Sequence, residues 1–533
     1  MEFARLYHKA ENSLGSLKFA VIIIMVFTIF MIAGTFAESY YGTEFANRLI
    51  YKKWPFMVIQ LVMFISILMA TFKRFPLRKP FYGFYSLHLG LLLTFSGSFI
   101  TYYSGIDGNV TLLPGIPSRS IELPKDQIKL NFSSEQKSFV MDLPDVATTK
   151  KLNIEYKGIK FRNFLPYSEN VTAWIPSKQN FLSANYTLSN AMVAQNFTLT
   201  NSPEAKDFQS TLSLGPLSIH FLPDVLQPCF AKETKSKLII WNANTQNCFT
   251  PEDYKIEIKE TSKGNRFLVI PHNGALVSFF PDFSPWPVNE NFEIQRENPL
   301  KIFSKKIFES SPHLFLFGHG VSYFEDDNWV SEKIKVDESL SLPWMGFEIT
   351  LHRAEKTFYP ILRPNPILPI QKNSEIIKGN QRAVELEYKG DTYYVTDSKP
   401  VILGTDNDWI KVSLQKQKLE LPFEFLLTNF KMDTDPGTNN PASYESFVQL
   451  FSGNEGSKNH HIFMNNPLKH AGFTFYQASY FKTENSGYGS VLSANYDPGR
   501  PIKYLGSLIL ILGTMWHYLI RRKKKAAFFS KGS

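Results

Sequence analysis

The sequence predicts a membrane protein with four transmembrane α-helices, three N-terminal and one C-terminal, and a large β-rich exported domain between the third and the fourth. Three observations predict it. Apolar runs of about the ~20 residues that a bilayer-crossing helix needs occur at about 17–36, 54–72 and 84–103, and another at 503–520. Basic residues crowd alternate flanks of these runs: Arg5 and Lys9 before the first, Lys73, Arg74, Arg78 and Lys79 between the second and third, and Arg521 to Lys525 after the fourth. Between the third and fourth runs the pattern changes to short alternating stretches split by turn clusters.

The first run, Leu17 to Phe36, is not followed by a small-x-small cleavage site, and two more runs come directly behind it, so it reads as a span and not as a cleaved leader. The positive-inside rule places all three basic segments in the cytoplasm. Both termini are then inside. The organisation that follows is a membrane region at 1–103, an exported domain at 104–502, a fourth span at 503–520 and a basic cytoplasmic tail at 521–533. Charge agrees with this division. The overall +9 resolves into 17 basic and 4 acidic residues in the membrane portions against 40 and 44 in the exported one, so the basicity marks topology and not a nucleic-acid partner.

The exported domain alternates as strands do. In "LNIEYKGIKFRNF" Ile154 and Tyr156 alternate, Lys157-Gly158 interrupts, and Ile159 and Phe161 resume; "VELEYKGDTYYV" repeats the arrangement around Lys389-Gly390. Both predict hairpins, and the shared "EYKG" suggests two related sheet modules. A segment of this size exceeds one ordinary core, so two lobes are expected, with a boundary near residue 300. Cys229 and Cys248 both fall outside the membrane, where a disulfide is the expected state. A thiol-handling redox pair is the competing reading, and the chain has no CxxC or CxxCH motif.

Within the third run, "FYSLHLGLLLTFSGSFITYY", stands His88, an ionisable group in an apolar span and therefore a functional candidate. It lies about four residues into a helix that runs outward, roughly 6 Å below the cytoplasmic surface. His517, near the inner end of the fourth run, is placed at a similar depth. Neutral imidazole in an apolar setting suits an axial haem ligand. The competing readings are an interfacial side chain for His88 and, more strongly, an aromatic-belt position for His517 between Trp516 and Tyr518. Gly90, Ser96, Gly97 and Ser98 allow another helix to approach the third closely. His460 and His461 fall on opposite faces of one strand, which argues against joint chelation. His220, His272, His313, His319, His352 and His470 are scattered without ligand spacing, and Trp174, Trp241 and Trp409 form no motif. No HExxH, GxSxG or P-loop pattern supports a hydrolase or a nucleotide-driven pump.

The ends of the chain resemble the ResB (CcsB) family of cytochrome c biogenesis proteins. The resemblance rests on "LGSLKFAVIIIMVFTIFMIAGTF", "GFYSLHLGLLLTFSGSFI" and "GNVTLLPG" near the N-terminus, and on "FLLTNFKMDTDPGTNNPASYESFVQL", "IFMNNPLKHAGFTFYQASY" and "YDPGRPIKYLGSLILILGT" near the C-terminus. It implies the separate half of a bacterial cytoplasmic-membrane machine that exports haem and joins it to CxxCH apocytochrome c, as a non-autonomous subunit beside a CcsA-type partner. It also implies haem b as a transiently bound, transported substrate, His88 as its axial ligand, His517 as a weaker candidate, and a thioredoxin-like thiol reductant as a further partner. Lys73, Arg74, Arg78 and Lys79 are then candidates to attract haem propionates. The alternatives are a membrane-tethered scaffold or apocytochrome chaperone that binds no haem, and a haem b electron-transfer subunit, which the lack of paired histidines in the first three runs disfavours.

Overall fold

The computed structural model describes residues 11–529 except 135–137, 232–237, 243, 246, 250–256, 261–265, 273–274, 281–285, 290–292, 296–297, 305–311, 327, 373–374, 406, 438–440, 454–455 and 484–486. Arg5 and Lys9 lie outside the described residues. Helices α1 (Leu17–Tyr41), α2 (Trp54–Phe72) and α3 (Tyr82–Ser104) are long and apolar enough to cross a membrane. They expose large apolar side chains such as Ile22, Ile29, Leu61 and Leu89, a surface suited to lipid and not to water. A fourth long helix, α4 (Arg500–Phe529), is not among the three, so the fourth span expected at 503–520 is not shown; its uncharged stretch, between Lys503 and Arg521, is shorter than theirs.

Helices α3 and α4 meet along a glycine seam. Gly83, Gly90 and Gly97 recur every seven residues on α3; Gly499, Gly506 and Gly513 do so on the opposing segment. A Cβ on Gly90 would stand 2.6 Å from the backbone nitrogen of Leu510, and one on Gly506 would stand 2.7 Å from the Gly90 carbonyl. Any side chain there would force the backbones apart. At the end of the seam Asp497 accepts hydrogen bonds from Thr101 at 2.6 Å and from Lys503 at 2.8 Å. The pairing then continues in another form. Helix α3 passes through Gly105 into strand Ile106–Leu112, which pairs antiparallel with Tyr488–Tyr496, the strand that leads into α4, with Ile106 opposite Tyr496.

The chain divides into two compact units, one of residues 1–169 and 364–533 and one of residues 170–363. The lobe boundary expected near 300 therefore does not hold. The reason is the pairing of Ile159–Pro176 with Gln381–Tyr388, which brings distant parts of the chain into one sheet and leaves the second unit as an insertion.

In the first unit, an antiparallel sheet runs in the order Gly456–Ile462, Pro441–Ser452, Asp408–Thr434, Ser118–Phe132, Ile106–Leu112, Tyr488–Tyr496, Phe473–Lys482 and Leu468–His470. Alternate residues turn inward, so that Val110, Leu112, Phe425, Leu427, Val448, Phe475 and Leu492 form one core. The two "EYKG" segments are hairpin turns, as their patterns predict. Lys157 and Gly158 have φ of 46° and 76°, and Lys389 and Gly390 have 52° and 92°, the left-handed pair that a two-residue hairpin of this twist requires. They are not separate modules: Tyr388 stands opposite Ile159 in a single sheet.

The link between α1 and α2 is fixed to this unit by charge. It forms a short helical turn, Thr43–Ala46, and one π-helical turn, Asn47–Tyr51. Arg48, only 3% exposed, bonds both Glu44 and Asp126 at 2.7 Å. Arg382 and Lys416 reach the same two carboxylates at 3.2–3.4 Å. Burial pushes the pKa values of Glu44 and Asp126 up, but the surrounding cations, Arg382 first, outweigh it and hold both below the ordinary carboxylate range.

The second unit is built of small sheets, antiparallel apart from Leu217–Phe221 beside His313–Phe317. One of its cores gathers Tyr186, Ile219, Phe221, Leu314 and Leu351. Another gathers Phe230, Trp241, Phe303, Phe315 and Trp329, and against it a disulfide joins Cys229 to Cys248.

Candidate functional site

His88 sits one turn beyond Phe84 on α3, two residues before Gly90 in the seam. Its Nδ1 lies 3.0 Å from the Phe84 carbonyl oxygen. A carbonyl only accepts, so the bond assigns the proton to Nδ1 and leaves the lone pair on Nε2, the arrangement in which a neutral imidazole can ligate a metal. Among the described residues no hydrogen bond engages Nε2, and the ring is half-buried. The imidazole also packs on the Phe84 ring at 3.7 Å between centroids, and the Arg74 guanidinium stands 4.0 Å from the centre of that same ring. Histidine, phenylalanine and arginine thus form one column, with the cation supplied by the link between α2 and α3. Arg74 is held there by its own bond to the Ala70 carbonyl, while Tyr85 hydrogen-bonds the link's carbonyls at Arg74 and Pro76. Lys73, Arg78 and Lys79 are exposed beside it.

His517 is placed differently. Its Cα lies 2.7 Å from where a Cβ on Gly83 would be, so its backbone forms the end of the seam. Gly83 precedes His88 by five residues, which puts the level of His517 about 7–8 Å away along the α3 axis. The similar depth expected from sequence is therefore only approximate, and neither a hydrogen bond nor a ring contact joins the two imidazoles.

Elsewhere the histidines serve structure. His461 stacks on Phe447 at 4.2 Å and lies 2.9 Å from Glu445, whereas His460, its neighbour in strand Gly456–Ile462, faces the other way, near His470. His319 bonds the Ile334 carbonyl, and His352 lies between Thr187 and Asp337. The side chain of His272 is outside the described residues. Sequence spacing gave no sign that His220 and His313 meet, yet the parallel strand pair places His220 Nε2 at 2.9 Å from His313 Nδ1. Burial pushes His313 down to about 4 and His220 well below its ordinary value, so the pair is neutral at pH 7. Among the described residues no group of three or more His, Cys, Asp or Glu is arranged to hold a metal ion.

Residues 389–490 match the ResB-like family. That segment is ResB-like. The match covers most of the large antiparallel sheet and contains "FLLTNFKMDTDPGTNNPASYESFVQL" and "IFMNNPLKHAGFTFYQASY"; His88 lies outside it. The chain is also 35% identical over 118 residues to Protein NrfI of Wolinella succinogenes. That alignment takes in 22% of this chain and 13% of the Wolinella protein, so the chain spans only a small part of that relative.

Proposed function

We propose that this chain is the haem-handling subunit of a membrane cytochrome c synthase complex, exporting haem and supporting its attachment to CxxCH apocytochrome c beside a CcsA-type partner. The observation that carries the reading is the free Nε2 of His88 in a membrane-length helix, its tautomer set by the Phe84 carbonyl. The ResB-like region supports it independently. In this reading His88 ligates haem iron, the partner supplies a second ligand, and Arg74, already poised on Phe84, attracts a propionate. The basic link between α2 and α3 is cytoplasmic, as are both termini. Helix α4 is the fourth span, a placement favoured by its seam with α3. The sheet-bearing portion then lies outside the cytoplasmic membrane, where it positions the apocytochrome. The thiol reductant that keeps CxxCH reduced is a separate protein.

The test is the absorption spectrum of the complex purified with its partner, comparing the native chain with His88→Ala and His517→Ala. Loss of the Soret band in His88→Ala alone, with assembly intact, is the expected result. Full haem retention in His88→Ala overturns the ligand role and leaves a scaffold or chaperone. Arg74→Gln with Arg78→Gln is expected to lower haem loading without removing it, and unchanged loading removes the propionate role.

A further inference from the structure

The ends of α1 to α3 that face the sheets carry exposed aromatic side chains: Tyr40 in the last turn of α1, Trp54 at the start of α2 and Tyr103 near the end of α3. Tyrosine and tryptophan concentrate where hydrocarbon gives way to headgroups, so these three mark the level of one membrane surface. Gly42, the cap of α1, stands at that level.

Against Gly42 lies a small hairpin. Among the described residues its strands, Ile370–Lys372 and Glu375–Lys378, pair only with each other. A Cβ on Gly42 would stand 3.1 Å from Gln371 Oε1 and 3.7 Å from Ile376 Cδ1, and Gln371 is opposite Ile376 in the ladder. That face is turned to the end of α1. Alternation then puts Ile370 and Ile377 on the reverse face, where both are exposed, and Leu368 precedes them with the same parity as Ile370; the three are 48–53% exposed. Lys372 and Lys378 flank them, also exposed. Two strands alone are marginal in water, and three large aliphatic side chains on so small an element are surface that water penalises. The neighbouring helix indicates what covers them. The lipid-facing side chains of α1, with Phe36 and Tyr40 as the last, lead to Gly42 and so to the hairpin. We propose that this hairpin is a further membrane contact, in which Leu368, Ile370 and Ile377 insert at the boundary between headgroups and acyl chains while Lys372 and Lys378 extend to the phosphates. The contact gives the first unit a footing beside α1, apart from the one where α3 runs into its strand. It requires α1 to span the membrane and does not depend on the role of His88.

The chain's two cysteines are joined in the disulfide, so an introduced cysteine is the single thiol to label. The full chain, carrying a nitroxide at Ile370→Cys or Ile377→Cys, is placed one per nanodisc in phosphatidylcholine. Power saturation then compares collisions with oxygen, which favours lipid, and with a water-soluble nickel chelate. Ile29→Cys, midway along α1, is the lipid reference; Ile116→Cys, exposed beyond strand Ile106–Leu112 and about 20 Å from the end of α3, is the water reference. Both hairpin labels are expected to favour oxygen, at a depth of about 5–10 Å, shallower than Ile29 and opposite to Ile116. In Ile370→Ser with Ile377→Ser, a label at Leu368→Cys should shift toward the Ile116 value. A water-like reading at either hairpin position, with Ile29 lipid-like, overturns the proposal and leaves the span standing; a water-like Ile29 removes both. Hairpin labels shielded from both reagents mean a protein neighbour and also overturn it, as does an unchanged Leu368 depth in the double serine variant.

Discussion

Each unit buries a polar cluster, and the two reach opposite charge states. In the first unit the Glu44 and Asp126 carboxylates remain ionised, because Arg48, Arg382 and Lys416 stand within 2.7–3.4 Å of them. In the second, His220, His313 and Lys301 pack against aromatic rings, and burial is the largest influence on each. There burial wins. It drives both histidines down and lowers Lys301 to about 8, its ammonium lying 4.1 Å from the centre of Trp286 and 4.9 Å from that of Trp241. Burial thus sets only the cost of a charge; an opposite charge within reach decides whether that cost is met.

The largest expected effect comes from unbalancing the charged cluster. Asp126→Asn leaves Arg48, Arg382 and Lys416 sharing Glu44, with only the longer contacts of Arg48 to Asp145 and of Arg382 to Asp397 beside it, and is expected to destabilise the chain by roughly 3–5 kcal/mol, read as a lowered unfolding midpoint in detergent. Removing the disulfide with Cys229→Ser and Cys248→Ser, a pair 19 residues apart, is expected to cost about 3 kcal/mol by the same measurement.

The two clusters should also respond in different pH windows. His313 has a folded value of about 4 against an ordinary 6.5, so the unfolded chain takes up the proton first, and stability falls as pH drops from about 6.5 to 4. Glu44 and Asp126 have folded values below their ordinary 4.5 and 3.8, so their contribution is complete above those values and is lost only as pH falls further. In His220→Phe with His313→Leu the upper slope should flatten while the acid-side loss persists. An unchanged upper slope would show that the pair is not its source. The smallest effect is expected from Lys301→Met, within about 1 kcal/mol at pH 7, because replacing a poorly compensated buried amine by an apolar side chain of similar length removes a burden along with a contact. A loss of several kcal/mol would mean that the two tryptophans hold the cation more strongly than exposed cation–π pairs do.

What the sequence makes legible is local. The apolar runs at 17–36, 54–72 and 84–103 are enough to mark α1 to α3, and Lys157-Gly158 and Lys389-Gly390 mark their hairpins, because each signal lies within the element it specifies. The pairing of the two hairpins with each other is not legible, since nothing in either segment names a partner some two hundred residues away. The meeting of His220 with His313 escapes for the same reason. Gly90 and Gly97 announce a close helix neighbour, but its identity needs the matching seven-residue spacing of Gly499, Gly506 and Gly513. At the candidate site, the residue His88 is visible in sequence; its tautomer and the cation behind Phe84 require the helix and the returning link.

The run of α3 into Ile106–Leu112, and of Tyr488–Tyr496 into α4, has a mechanical meaning. Only Gly105 on one side and Asp497 to Gly499 on the other interrupt regular structure, and hydrogen bonds among Thr101, Asp497 and Lys503 tie the two sides together at that level. Two segments paired first as helices and then as strands form a stiff shaft with no slack joint. A turn or tilt of α3 around His88 must therefore appear as torque on the middle strands of the large sheet, and a load on that sheet must return along the same path.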